Sequence, residues 1–293
     1  MQLSGPTIPN PPLVRQARIL RLASGGALHA TGPEDATPIL FFHGVGGGAW
    51  SWEFQTAALA DDHSCYAWEA RGHGLAARVA DAGLGDYYVD AREALETVVA
   101  RHGAAWVAGH SMGGLLALAL ASDYPASVCG LILLEPVYAP DTAGHLGGPL
   151  GAVARTLCAP LVRSVLHGGR VGRVLARRLF AASFHDRAAM ERAWIRQRTQ
   201  VPVEYPKMMY EAFTGPTNFP NRAFGRELSQ PTLLVEGSAA KRRPRFPELV
   251  AELGRLGDRF AYLVVDGGHY LQLDRSAPRV TTALRDFVTR WSR

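Results

Sequence analysis

Gly109-His110-Ser111-Met112-Gly113 constrains this chain more than any other stretch. The short apolar run Ala104 to Ala108 precedes it, and the long apolar run Gly114 to Ala121, helical in character, follows. That context is strand, tight turn, helix. A serine at the tip of such a turn is pushed into a strained backbone conformation with its hydroxyl exposed. Side chains two positions to either side would collide with the neighbouring helix and strand, so glycine is needed at both places. The context reads Ser111 as a nucleophile rather than as a structural Ser-Gly turn.

The rest of the chain supplies a matching frame. Ala17 to Ala23 and Ala27 to Thr31 flank Ser24-Gly25-Gly26 and read as a hairpin. Pro38 to Phe42, Cys65 to Glu69, Val128 to Leu134, Pro231 to Glu236 and Phe260 to Val265 read as further strands. Trp50 to Ala60, Asp86 to Arg101, Pro247 to Leu256 and Pro278 to Trp291 read as helices. In Asp86 to Arg101, Tyr88, Ala91, Leu95 and Val98 or Val99 fall on one face. Fully apolar strands alternating with helices predict a doubly wound, mostly parallel α/β sheet covered on both sides. The pattern breaks after Glu135-Pro136. Val171 to Phe184 and Arg187 to Arg198 have amphipathic helical spacing, and Gly144 to Gly151 and Phe213 to Pro220 read as loops. The expected division is a core in two parts, residues 1–137 and 229–293, with an inserted helical cap at 138–228.

Three more segments carry a family likeness. Pro38 to Phe42 ends in His43-Gly44 and then Gly46-Gly47-Gly48. Trp68-Glu69-Ala70-Arg71-Gly72-His73-Gly74 follows a strand. Gly267-Gly268-His269 ends the run Phe260 to Val265. With the Ser111 turn, these resemble, in order, the motifs of the α/β-hydrolase fold family: the His-Gly loop, an Asp-x-Arg-Gly-x-Gly turn with Glu69 in place of its aspartate, the nucleophile elbow and the turn bearing the catalytic histidine. The resemblance implies a serine hydrolase of esterase type with a helical cap. It assigns His269 as the base that takes the Ser111 proton and returns it to the leaving group. It assigns the oxyanion donors to the backbone N–H groups of Met112 and Val45, each worth on the order of 3 kcal/mol to the transition state. His43 is expected chiefly to pin the glycine loop and Trp50 to line the substrate side, the two together forming the candidate substrate contacts. Trp52 or Trp50 also belongs in the core. His110 reads as a packing residue.

The acid departs from the family pattern. The usual aspartate lies just past the strand Thr232 to Glu236, where this chain has Ser238-Ala239-Ala240-Lys241. Without a partner to hold its tautomer, a catalytic histidine can lose about 10⁴ in rate. Glu135, ending Val128 to Leu134, is the preferred acid, as in family members that place it after that strand. Glu236, a cap carboxylate such as Asp141, or a dyad with no acid are the alternatives. Strand alternation points Asp266 elsewhere.

Composition narrows the classes. The net charge is +5, and Lys207 and Lys241 are the only lysines. A nucleic-acid binder needs a concentrated basic face with interleaved aromatics, and the sequence offers no such module. The run Lys241-Arg242-Arg243-Pro244-Arg245 reads as solvated surface, with an anchor for a substrate carboxylate or phosphate as the sharper reading. Cys65, Cys129 and Cys158 lack metal-ligand spacing; Cys65 and Cys129 read as small core residues, a pattern suited to a reducing cytoplasm. No apolar run is long enough to span a bilayer, and Met1 to Pro12 has no apolar signal core. The glycine loop lacks the Gly-Lys-Ser/Thr ending of a phosphate cradle, and no metal or cofactor is implied. The expected partner is a small-molecule substrate, with no nucleic acid and no stable membrane insertion. The expected activity is hydrolysis of a small or medium carboxylic ester, lactone or thioester through an acyl-enzyme. A carbon–carbon bond hydrolase on the same triad and a non-catalytic ligand-binding protein are the alternatives. The serine argues against haloalkane dehalogenase and epoxide hydrolase chemistry, for which the family uses aspartate at that position.

Overall fold

Parallel strands need crossover connections of about a dozen residues or more, usually helical, and most of this sheet is built that way. The computed structural model describes residues 17–76, 82–137, 174, 177–178, 180–200, 228–238 and 247–292. The strands are Arg18–Arg21 (β1), Ala27–Thr31 (β2), Thr37–Phe42 (β3), His63–Glu69 (β4), Ala105–His110 (β5), Val128–Leu134 (β6), Thr232–Gly237 (β7) and Phe260–Val265 (β8). They form one 8-stranded sheet in the order β1-β2-β4-β3-β5-β6-β7-β8. β2 pairs antiparallel with both β1 and β4; every other neighbouring pair is parallel.

The described helices are Glu53–Leu59 (α1, entered through a 3-10 turn at Ala49–Trp52), Leu84–His102 (α2), Met112–Asp123 (α3), Arg187–Gln200 (α4), Pro247–Leu253 (α5) and Ala277–Trp291 (α6). Side-chain alternation sorts the sheet into two cores. Ile39, Phe41, Ile132 and Leu134 pack with Leu59 of α1 and Val280, Leu284 and Val288 of α6. Leu40, Phe42, Leu131 and Leu133 face the opposite way, onto α2, α3 and α5. α3 is buried along nearly its whole length, as an apolar helix between a sheet and a second helix must be.

The strand order places the site. From β3 the chain moves outward to β4, then crosses back through α2 to β5 on the other side of β3. Such a reversal opens a crevice beyond the carboxyl ends of the two strands. Those ends are His43-Gly44-Val45 after β3 and Ser111 after β5. The inserted region between β6 and β7 lies over this edge. Phe180, Phe184, Ala189, Met190 and Ala193 form a third apolar cluster with Leu273, against which Trp50, Phe54 and Tyr270 pack.

Several expectations need correction. Cys129 lies in β6 but is exposed, not a core residue. The ladder skips it: Ala105 pairs with Val128 and Trp106 with Gly130, so the bulge leaves Cys129 outside the register. On α2 the buried tyrosine is Tyr87, with Leu84, Ala91, Ala94, Leu95 and Val98, while Tyr88 and Val99 are only partly covered. The helix expected to reach Leu256 is α-helical to Leu253 and continues as a 3-10 turn through Gly254–Arg259. The predicted loops Gly144–Gly151 and Phe213–Pro220, the basic run Lys241–Arg245, Asp141, Cys158 and the segment Met1–Pro12 lie outside the described residues.

Gly113 tests how tightly the elbow is packed. A Cβ there would overlap the Phe42 carbonyl, whereas one at Gly254 meets open space. Gly113→Ala is expected to lower stability by about 3 kcal/mol, since backbone cannot yield as a side chain does. The helix propensity gained, about 1 kcal/mol, does not offset this. Gly254→Ala should stay within about 0.5 kcal/mol of wild type. Urea unfolding of the two variants measures the contrast.

Candidate active site

Ser111 sits at φ 54°, ψ −117°, between the last residue of β5 and the first of α3. A left-handed residue is what lets the chain reverse from strand to helix with no intervening loop. Its N–H continues the sheet ladder to the Leu134 carbonyl (3.0 Å), and its own carbonyl accepts from Gly114 (3.0 Å) and Val137 (2.9 Å). The glycines at both flanks are required for the reason the sequence suggests. A Cβ at Gly109 would overlap the Gly113 carbonyl, and one at Gly113 the Phe42 carbonyl. The requirement extends to Gly44, where a Cβ would lie 2.9 Å from Ser111 Cβ. The loop after β3 therefore lies directly against the serine.

Glu135 also has a positive φ, 44°. It ends β6, next to the strand that ends in Ser111, and its N–H bonds the Val235 carbonyl at 3.0 Å. The side chain is buried. Its Oε1 accepts the Gly237 N–H at 2.6 Å, and its Oε2 lies 3.4 Å from His269 Nδ1. One carboxylate thus joins the ends of β6 and β7 and the turn after β8. With Nδ1 carrying the proton toward Glu135, Nε2 of His269 is left as a base. His110 holds the same turn from the other side. Its Nε2–H donates to the His269 carbonyl at 2.8 Å, and the two rings lie 4.7 Å apart. The residue beside the serine therefore grips the backbone of the histidine. Its position next to Ser111 was the only trace of this in the sequence.

Met112 opens α3, and an N–H at a helix start has no intrahelical acceptor. Val45 lies in a turn closed by the Gly47 N–H and the Gly44 carbonyl at 3.0 Å, with Gly46 at φ 70°. That turn bond leaves the Val45 N–H unused by the turn itself.

His43 is fully buried. Nδ1–H donates to the Gly44 carbonyl at 2.7 Å, and Nε2 accepts the Ala70 N–H at 3.2 Å. With both nitrogens engaged, the ring, stacked on Trp68 at 5.2 Å, pins the loop as a neutral imidazole. Trp52 is a core residue, fully buried against Phe41. Trp50 is half-buried and lines a cleft with Phe54, Leu273, Ala189, Ala193 and the Arg196–Glu53 ion pair. Glu236 is buried and accepts the Tyr262 hydroxyl at 2.7 Å. Asp266 pairs with Arg275 at 2.5 Å. Glu69, in place of the shorter aspartate, accepts the Leu75 N–H at 2.8 Å, and its carboxyl group fills the space a Cβ at Gly74 would need. Among the described residues, no group of three His, Cys, Asp or Glu side chains is placed to hold a metal ion, and no helix is long and apolar enough to cross a membrane.

Residues 39–283 match the sequence profile of the "Alpha/beta hydrolase family". The chain belongs to the alpha/beta hydrolase family. The hydrolase fold is shared with a thermophilic esterase from Thermogutta terrifontis, with 21% identity, a TM-score of 0.71, and coverage of 94% of this chain and 99% of that one. It is shared too with the enol-lactonase from Burkholderia xenovorans LB400, with 19% identity, a TM-score of 0.65, and coverage of 93% and 100%. In sequence the chain is 37% identical over 132 residues to the dihydrolipoyllysine-residue acetyltransferase component of the acetoin cleaving system of Cupriavidus necator, covering 43% of this chain and 34% of that protein. The match spans less than half the length of such curated relatives.

Burial pushes the His43 imidazole down to about 3 from its ordinary 6.5, and neighbouring His73 adds to the effect. The folded state keeps His43 neutral where the unfolded chain would protonate it. Its contribution to stability is therefore complete above pH 6.5 and is lost as pH falls toward 3. A single such group gives a slope of about 1.4 kcal/mol per pH unit within that window. Urea unfolding followed across the window should show a stability curve shallower by about that amount in His43→Gln than in wild type. Parallel curves would contradict the assignment.

Proposed function

We propose that this hydrolase cleaves a small or medium carboxylic ester through an acyl-enzyme. Ser111 Oγ attacks the ester carbonyl while its proton passes to His269 Nε2. The N–H groups of Met112 and Val45 stabilise the oxygen that becomes negative. The tetrahedral species collapses, the C–O bond breaks, and the alcohol leaves with the proton from His269. Water then attacks the acyl-serine, gives a proton to His269, and the carboxylic acid departs as Ser111 recovers its hydrogen. Glu135 holds the imidazole in the required tautomer and balances the cation that forms in each half-reaction.

The observation that carries this reading is the Glu135 carboxylate, fixed by the Gly237 N–H at 2.6 Å and facing His269 Nδ1 at 3.4 Å. It supplies the acid that is missing from the family's usual place. The aromatic surroundings support an uncharged acyl or alkyl group: Tyr270 lies edge-on to His269 with ring centroids 5.5 Å apart, and Phe180 and Phe184 pack against it. Opening a lactone requires the same steps and the same groups.

A fluorophosphonate probe should label wild type at Ser111 and leave Ser111→Ala unlabelled. Ser111→Ala and His269→Ala should each lose about 10⁴-fold or more in kcat on p-nitrophenyl esters. Glu135→Gln should lose on the order of 10²- to 10⁴-fold, while Glu236→Gln stays close to wild type. A reversed order for the two glutamates would remove Glu135 as the acid. Wild type that does not react with the probe, yet binds esters, would replace the enzyme with a binding protein.

A further inference from the structure

Asp274 is a fully buried carboxylate with no part in the steps above. Its partners are backbone N–H groups: His185 donates to Oδ2 at 2.6 Å, and Asp186 and Arg275 donate to Oδ1 at 2.8 Å each. The neighbouring Arg275 guanidinium is turned to Asp266 at 2.5 Å and His185 Nδ1 at 2.9 Å. Burying a carboxylate is costly unless its oxygens are well satisfied, and charge-assisted bonds from N–H groups are the strong kind that can do so.

Two of those donors belong to the inserted region, on the segment that leads into α4. The same segment lies on the His269 turn. The Ser183 carbonyl accepts the Tyr270 N–H at 3.4 Å, and a Cβ at Gly268 would overlap that carbonyl. The Phe184 ring is stacked on Tyr270 at 4.8 Å and 10°. Residues 268 and 270, on either side of His269, are thus both covered by residues 183 and 184. The inserted region forms one wall of the turn that aims the imidazole.

We propose that Asp274 is a positioning residue that clamps the inserted region onto the His269 turn, so that the imidazole stays aligned with Glu135 only while that region is docked. The role rests on the hydrolase reading for its effect on rate, but not for its effect on His269. Asp274→Asn keeps the shape and removes the charge, placing an amide N–H₂ against groups that already donate.

The test takes two readouts on the full chain. One is kcat and KM per fluorophosphonate-titratable site, which discounts misfolded protein. The other is the low-field Nδ1 proton resonance of His269 in ¹H NMR, assigned by its loss in His269→Ala. Asp274→Asn should lower kcat per site by about 10- to 100-fold, with a smaller change in KM, and should weaken or abolish the resonance. If Asp274→Asn does not fold, Phe184→Ala loosens the same contact without touching the carboxylate and should move both readouts in the same direction. An unchanged kcat per site with an unchanged resonance overturns the clamp, as does lost kcat with the resonance intact. Should wild-type Ser111 fail to react with the probe, the hydrolase reading falls, and the resonance alone still decides the clamp.

Discussion

Two backbone conformations that L-residues rarely adopt fix the working edge of this sheet. Among the described residues, Ser111 and Glu135 are the non-glycine residues with positive φ. They end adjacent parallel strands, β5 and β6. Such conformations cost about 1–3 kcal/mol each and persist only where the surroundings over-determine them. Here the surroundings are the ladder itself. The Ser111 N–H bonds Leu134, the Glu135 N–H bonds Val235, and the Val137 N–H returns to the Ser111 carbonyl. The chain can neither relax Ser111 without breaking the end of β6 nor relax Glu135 without breaking its contact with β7. The buried apolar strands behind them hold that edge in register.

The electrostatic layout follows from the same packing. His43, against the glycine loop after β3, is kept neutral: it is buried, doubly hydrogen-bonded, stacked on Trp68 and tilted against His73. The Glu135 carboxyl group faces His269 Nδ1 with one oxygen and accepts the Gly237 N–H with the other. On the proposed reading, donors and charge are in position before substrate arrives, and no reorganisation is needed as the oxyanion forms. The described part of the inserted region packs against Trp50, Phe54 and Tyr270 at this edge.

Much of this was legible in the sequence, because the features concerned are local. Apolar strands, helix periodicity and the glycines around Ser111 are each determined by neighbours within a few positions. Glu135 was preferred only through the resemblance to family members that place their acid after this strand, with Glu236, a cap carboxylate and a dyad left open; the structure sets its carboxylate 3.4 Å from His269 Nδ1. What could not be read depends on contacts between distant segments. Cys129 is exposed because of a register shift against β5, which leaves no mark on an apolar run. His110 reads as packing until the turn carrying His269 is brought against it. Asp274 was not singled out from the sequence, and it is the docking of residues 185 and 186 that brings backbone N–H groups to its buried carboxyl group. Trp50 and Trp52 are nearly identical in sequence context but differ in fate, since only one of them faces the sheet.

The central claim is that the strained serine becomes covalently acylated during turnover. Acid-quenched single-turnover reaction with p-nitrophenyl acetate, followed by peptide mass mapping, measures this directly. The account predicts a burst of p-nitrophenolate stoichiometric with the chain and an acetyl group on the peptide carrying Ser111. Release of p-nitrophenolate with no acetylated peptide, or with the acetyl group on another residue, would contradict it.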